Sequence, residues 1–137
     1  MNLQVFPLET HWECDYFELE PDLYEFATTE SAVSLATWRF DARRVENWAA
    51  WLHRTFTLSA TEDCVRYHLL IDSAPPGTRI FVNEREVVTY AIGDDDAPFD
   101  MDITDSVALG ENKLGLRVAC DAGGYFSGVR LAVLPCA

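Results

Sequence analysis

Basic residues are scarce in this sequence: 10 Lys and Arg stand against 23 Asp and Glu, a formal net charge of −13. None precedes Arg39, whereas Glu9, Glu13, Asp15, Glu18, Glu20, Asp22, Glu25 and Glu30 all fall in that stretch. An acidic chain repels phosphate backbones and anionic lipid surfaces, so neither nucleic acid nor membrane is an expected partner. The early acidic run reads as a solvated face. Long apolar runs are missing too, with nothing near the ~18 residues that a membrane-spanning helix requires. Met1 to Pro7 has neither the basic start nor the apolar core of a secretory leader, and a cytoplasmic location is expected. Cys14, Cys64, Cys120 and Cys136 form no C-x-x-C pair, which removes the zinc patterns. In a cytoplasmic protein they are expected as free, buried thiols. There is no P-loop, G-x-G-x-x-G or nucleophile elbow. His11, His53 and His68 are scattered, and together with Cys120 and Asp121 they make no recognisable triad.

Apolar residues are plentiful, at 49%, which is too rich for a disordered chain and enough for one domain spanning 1–137 with its own core. Their order shows period-two alternation. Val65, Tyr67, Leu69 and Ile71 alternate with Arg66 and His68, the pattern of a strand with one buried face. The same alternation recurs at Phe56 and Leu58, at Ile80 and Val82, and at Phe99, Met101 and Ile103. It continues at Leu114, Leu116 and Val118, and at Val129, Leu131 and Val133. Turn signals separate these runs: Pro75-Pro-Gly77, Gly93-Asp-Asp-Asp96, Gly110-Glu-Asn112 and Gly123-Gly124. Short strands at this spacing predict an all-β antiparallel sandwich. In the first half, Val33–Phe40 reads as a strand and residues 1–32 as an edge strand or two with loops. Val45, Trp48, Ala49 and Leu52 have helical spacing, with Asp41 placed to cap, which predicts a short helix or turn over 42–51.

Four segments carry a resemblance. They are Trp51-Leu-His-Arg-Thr-Phe-Thr-Leu58; Ile71-Asp-Ser-Ala74 with Arg79-Ile-Phe-Val-Asn83; Phe99-Asp-Met-Asp-Ile-Thr-Asp105 with Gly110-Glu-Asn-Lys-Leu114; and Ser127-Gly-Val-Arg-Leu-Ala-Val133. In this order they resemble the N-terminal sugar-binding domain of family 2 glycoside hydrolases, the β-galactosidase and β-glucuronidase group. The resemblance covers about residues 48–134 and implies a galactose-binding-like jelly roll with carbohydrate as ligand. The catalytic carboxylates of that family stand on a (β/α)8 barrel that none of these segments resembles, so no enzymatic activity is expected. The family's hairpin Asn-Gly is Asn83-Glu84 here. Because Glu resists positive φ, a looser or longer turn is expected. The last motif has Val129 where the family has Trp. Residues 99–114 read as a structural signature, in which Asp102, Thr104 and Asp105 fix a turn through side-chain bonds to backbone N–H groups.

If every connection in the second half reverses direction, the loops near 72–78, 91–98 and 119–128 share one end with the start of the 53–58 strand. That end gathers Trp48, Trp51, Tyr90, Asp94, Asp95, Asp96, Asp121, Tyr125 and Phe126. Aromatic rings beside carboxylates suit sugars, whose C–H faces stack while their hydroxyls donate to acids. Trp38, Trp48 and Trp51 also fit core or sheet-edge positions, which leaves Tyr125 and Phe126 as the exposed candidates. Asp94–Asp96 reads as a solvated turn, with calcium as a sharper alternative and no other cofactor expected. Three functions compete: a carbohydrate-binding module, an assembly domain that binds another protein or itself, and an accessory piece of a split glycosidase.

Overall fold

The alternation becomes two facing sheets. The computed structural model describes residues 4–18, 26–40, 48–60, 64–90, 99–119 and 123–136, with backbone only at 18, 26–30 and 88–90. Its strands are β1 (Gln4–Pro7), β2 (Trp12–Glu18), β3 (Phe26–Val33), β4 (Trp48–Leu58) and β5 (Val65–Ile71). They continue with β6 (Thr78–Val82), β7 (Arg85–Tyr90), β8 (Phe99–Asp102), β9 (Gly110–Ala119) and β10 (Arg130–Pro135). A four-stranded sheet runs β1-β10-β5-β8 and a six-stranded sheet runs β3-β2-β4-β9-β6-β7. Each strand pair is antiparallel. The sandwich predicted from the sequence is therefore the observed fold. No helix among the described residues is long and apolar enough to cross a membrane.

The core follows from parity. Trp12, Cys14 and Tyr16 of β2, Leu52, Phe56 and Leu58 of β4, and Leu114, Leu116 and Val118 of β9 are buried. They meet Leu69, Ile71 and Leu131 from the smaller sheet in one cluster. Burying each such side chain fully is worth about 1.5–3 kcal/mol. The Trp12 indole N–H, carried inside, donates to the Leu8 carbonyl at 2.6 Å, whereas the buried Trp38 indole N–H has no hydrogen-bond partner among the described residues. The Cys14 side chain is buried in this core.

Four expectations need correction. Residues 41–47 lie outside the described residues, but Trp48–Leu52 is strand, not helix. Strand β4 pairs with β2 on one side and β9 on the other. Ala49 and Ala50 are both buried, so the two-residue alternation vanishes there and the apolar spacing imitates a helix. The strand expected over Val33–Phe40 stops at Val33. A turn follows, in which the Thr37 and Trp38 N–H groups donate to the Ser34 carbonyl at 3.2 and 3.0 Å. It is this turn, not alternation, that delivers Leu35 and Trp38 to the core.

Third, the 83–84 hairpin is tight. Asn83 and Glu84 take φ of 51° and 69° between β6 and β7. The turn tolerates Glu because Asn83 anchors it. The Asn83 carboxamide accepts from Lys113 N–H at 2.8 Å and donates to the Ser106 carbonyl and to Asn112 Oδ1, both at 2.9 Å. Buried Asn112 accepts from Ala108 N–H and donates to the Ala108 and Gly110 carbonyls. Of the turn expected at 102–105, Asp102 accepts from Thr104 N–H at 2.9 Å and the Thr104 hydroxyl accepts from Tyr67 N–H at 2.8 Å. Fourth, the thiols are not all free: Cys64 and Cys136 form a disulfide with Cα atoms 5.4 Å apart. Cys120 lies outside the described residues.

Two outcomes follow. Replacing Glu84 with Gly removes a Cβ from a left-handed position, and urea unfolding should show a gain of about 1 kcal/mol. Peptide mapping without reductant should recover residues 64 and 136 linked, and the Cys64→Ala/Cys136→Ala double variant should lose about 2–4 kcal/mol. Recovery of both residues as free thiols would refute the pairing.

Candidate functional site

Strand registers fix which loops meet. Ile71 pairs with Phe99, Thr78 with Tyr90, and Ala49 with Ala119. An isolated bridge joins Ser73 to Ser127. The connections therefore reverse as expected, and residues 72–78, 123–128 and the start of β4 share one end. Of the described residues expected there, Tyr125 is the exposed one, at 54%. The Arg39 guanidinium lies over its ring, 4.7 Å from the centroid, and its carbonyl accepts from Ser73 Oγ at 3.2 Å. Phe126 faces the other way, fully buried and 6.0 Å from the Trp38 ring. After Gly123 and Gly124, both at φ of +71°, the chain simply alternates out and in. Trp48 is half-buried against the core. Tyr90 ends β7 at this same end. Asp94, Asp95, Asp96 and Asp121 lie outside the described residues.

Trp51 belongs elsewhere. It points away from the core, on the outer face of the six-stranded sheet, and centres a platform that the sequence reading did not assemble. One row across that face is Asp15, Trp51, Arg117 and Arg79. The next row is Glu13, His53, Gly115, Phe81 and Glu86. Gly115 has no side chain where the six-membered ring of Trp51 sits: a Cβ there would stand 2.1 Å from the ring. Phe81 meets Trp51 edge-on at 5.3 Å, and His53 stacks beside it at 6.3 Å.

Charged groups frame the rings. His53 Nε2 lies 2.9 Å from an Asp15 oxygen and 3.8 Å from Glu13. Arg79 makes a two-point contact with Glu86 at 3.0 and 2.5 Å, and its guanidinium lies 5.5 Å from the Phe81 centroid. Arg117 covers Phe17 at 5.4 Å. Such a surface offers apolar rings to C–H groups and charged donors and acceptors to hydroxyls. Two of its members were readable in advance. Ile80 and Val82 point inward, so Phe81 points outward, and a glycine inside a strand marks a close approach. The pairing of distant strands was not readable.

The opposite sheet carries a polar cluster of a different kind. Thr104 donates to Asp102 through its hydroxyl at 2.5 Å and its N–H at 2.9 Å, and Arg66 adds contacts at 2.6 and 2.9 Å. The Thr104 hydroxyl, then its N–H, then Arg66 hold the Asp102 carboxyl well below the usual carboxylate range. Tyr67 N–H donates to the same Thr104 hydroxyl at 2.8 Å. The cluster ties the 104–106 turn to β5, so its role is to hold the fold. Among the described residues no group of His, Cys, Asp or Glu has the arrangement to hold a metal ion.

Similar solved structures include an FMN-binding β-glucuronidase from Facaelibacterium prausnitzii L2-6, with a TM-score of 0.68 and 21% identity over 97% of this chain and 23% of that one. A β-glucuronidase from Bifidobacterium dentium, complexed with coumarin-3-O-glucuronide, gives 0.65 and 17% over 98% and 30%. A glycosyl hydrolase family 2 member from Bacteroides cellulosilyticus DSM 14838 gives 0.59 and 21% over 98% and 20%. The chain thus spans 20–30% of the length of these enzymes and shares the fold of a β-sandwich portion of them. No protein-family model and no curated protein sequence matches it.

Gly115→Ala should displace Trp51, shift its fluorescence and cost about 1–3 kcal/mol, because the new methyl group has no room. An unchanged emission spectrum would place the indole elsewhere. For Asp102 the folded-state pKa is depressed, so its contribution is present above the unfolded value near pH 4 and is lost as pH falls. Asp102→Asn should therefore lower the urea midpoint at pH 7 and lower it less at pH 3.

Proposed function

We propose that this chain is a non-catalytic carbohydrate-recognition module of the kind built into family 2 glycosidases, and that sugar stacks on the Trp51 platform. The observation that carries this reading is Trp51 itself: a part-exposed indole seated over a side-chain-free Gly115 and ringed by Phe81, His53 and ion-paired carboxylates and guanidinia. The fold supports it, since the solved structures that share it include glycosidases. So does the extent of the match: a β-sandwich portion of a larger enzyme supplies recognition or support more readily than catalysis.

A second reading draws on the same face. Because the chain covers 20–30% of those enzymes, an aromatic sheet face is also what a neighbouring domain, a second copy or a separate catalytic chain would cover. On compartment, the Cys64–Cys136 bond favours an oxidising environment over the cytoplasm.

A glycan array run with calcium and with chelator, followed by calorimetry, tests the proposal. A dissociation constant of about 1 mM or tighter, lost in Trp51→Ala and kept in Tyr125→Ala, is the expected result. The reverse pattern moves the site to the end loops, and loss on chelation gives Asp94–Asp96 a metal role. If no glycan binds, the assembly reading stands in its place.

A further inference from the structure

Two packed sheets normally interdigitate about 10 Å apart and leave few voids. Here they do not close along one side. Beneath β1, at the disulfide end and far from Tyr125, a cleft of about 590 Å³ opens between the sheets. Its walls include Phe6, Phe56, Leu58, Tyr67, Leu131 and Val133. Phe6 forms an exposed lip, while Phe56, Leu58 and Leu131 belong to the core. The volume falls within the roughly 300–1,000 Å³ of small-molecule sites.

Among the described residues, one cation reaches this cleft. Arg54 lies between Leu52 and Phe56 on β4, at a position where alternation turns the side chain inward, and it lines the cavity. Its guanidinium donates to the Thr10 carbonyl at 2.7 Å and to the Thr55 carbonyl at 3.1 Å. Carbonyls satisfy N–H groups but do not neutralise charge. No carboxylate among the described residues stands within ion-pair distance of it, although the chain carries 23 acidic residues. Burial pushes the guanidinium pKa down, as expected of a cation with no counter-charge. An arriving carboxylate would meet the planar fork in two-point geometry, and an apolar body behind it would lie against the aromatic and aliphatic walls.

We propose that the inter-sheet cleft around Arg54 is a second binding site, for a small carboxylic acid with an aliphatic body. The carboxylate pairs with Arg54, and the hydrocarbon fills the space between Phe56 and Leu58 on one sheet and Leu131 and Val133 on the other. This site is separate from the Trp51 platform, which lies on the far face of the larger sheet, and does not depend on carbohydrate binding.

Calorimetry with decanoate and decanol below their aggregation limits tests the charge and the body together. Decanoate should bind the wild-type chain about tenfold or more tightly than decanol, since a charge-assisted pair replaces a neutral one. Equal binding of the two, or no binding of decanoate, overturns the proposal without any variant. In Arg54→Gln, checked for native far-UV circular dichroism, the preference should collapse to within about twofold; a preserved preference removes Arg54 from the site. Val133→Trp should fill the cleft and abolish binding of both probes while leaving the Trp51 face untouched. Unaltered decanoate binding there would locate the acid elsewhere and equally overturn the assignment.

Discussion

Strand β4 is the member on which the other parts depend. It pairs with β2 along one edge and with β9 along the other, the latter from Ala49 opposite Ala119 to Leu58 opposite Gly110. Because its partners come from opposite halves of the chain, β4 is what makes one sheet of sequence-distant hairpins. A one-residue slip would exchange its two faces. Leu52, Phe56 and Leu58 would leave the core, and Trp51 and His53 would enter it. The same register therefore sets the hydrophobic interior, the outer platform and the inward course of Arg54.

Most of the second half could be read from order alone. Alternation located the end of β4 and strands β5, β6, β8, β9 and β10 but not β7, and reversal of direction at each turn placed the loops at their correct ends. Both rest on local geometry that every antiparallel strand obeys. The reading failed where that geometry is overridden. At Ala49 and Ala50 both sides of the strand are covered, so no polar face marks the period. At Ser34–Trp38 a turn, not a strand, carries two apolar side chains inward. Asn83 and Glu84 show a third case: a left-handed pair is held without glycine because Asn83 is tied to Ser106, Lys113 and Asn112, residues far along the chain.

The candidate site was legible only in fragments. Trp51 stood out as an aromatic residue, but its assignment to the end loops missed that its side chain leaves the strand perpendicular to the sheet. Its companions Phe81 and Gly115 come from strands that the sequence does not show to be neighbours. Phe126 and Tyr125 illustrate the opposite limit. Adjacent aromatic residues after two glycines look equivalent in composition, yet one packs on Trp38 and the other stands in solvent beneath Arg39.

The Cys64–Cys136 bond has a mechanical meaning. Residue 136 follows β10, and residue 64 precedes β5, the strand against which β10 lies antiparallel, with Pro135 opposite Val65. A pull on the chain beyond residue 136 would otherwise open that ladder one hydrogen-bonded pair at a time from its end, the weakest loading geometry for a sheet. The sulfur bridge intercepts the load before it reaches Pro135 and passes it to β5, in the interior of the sheet. The ladder from Pro135 opposite Val65 to Arg130 opposite Leu70 is relieved of that load for as long as the bond is intact.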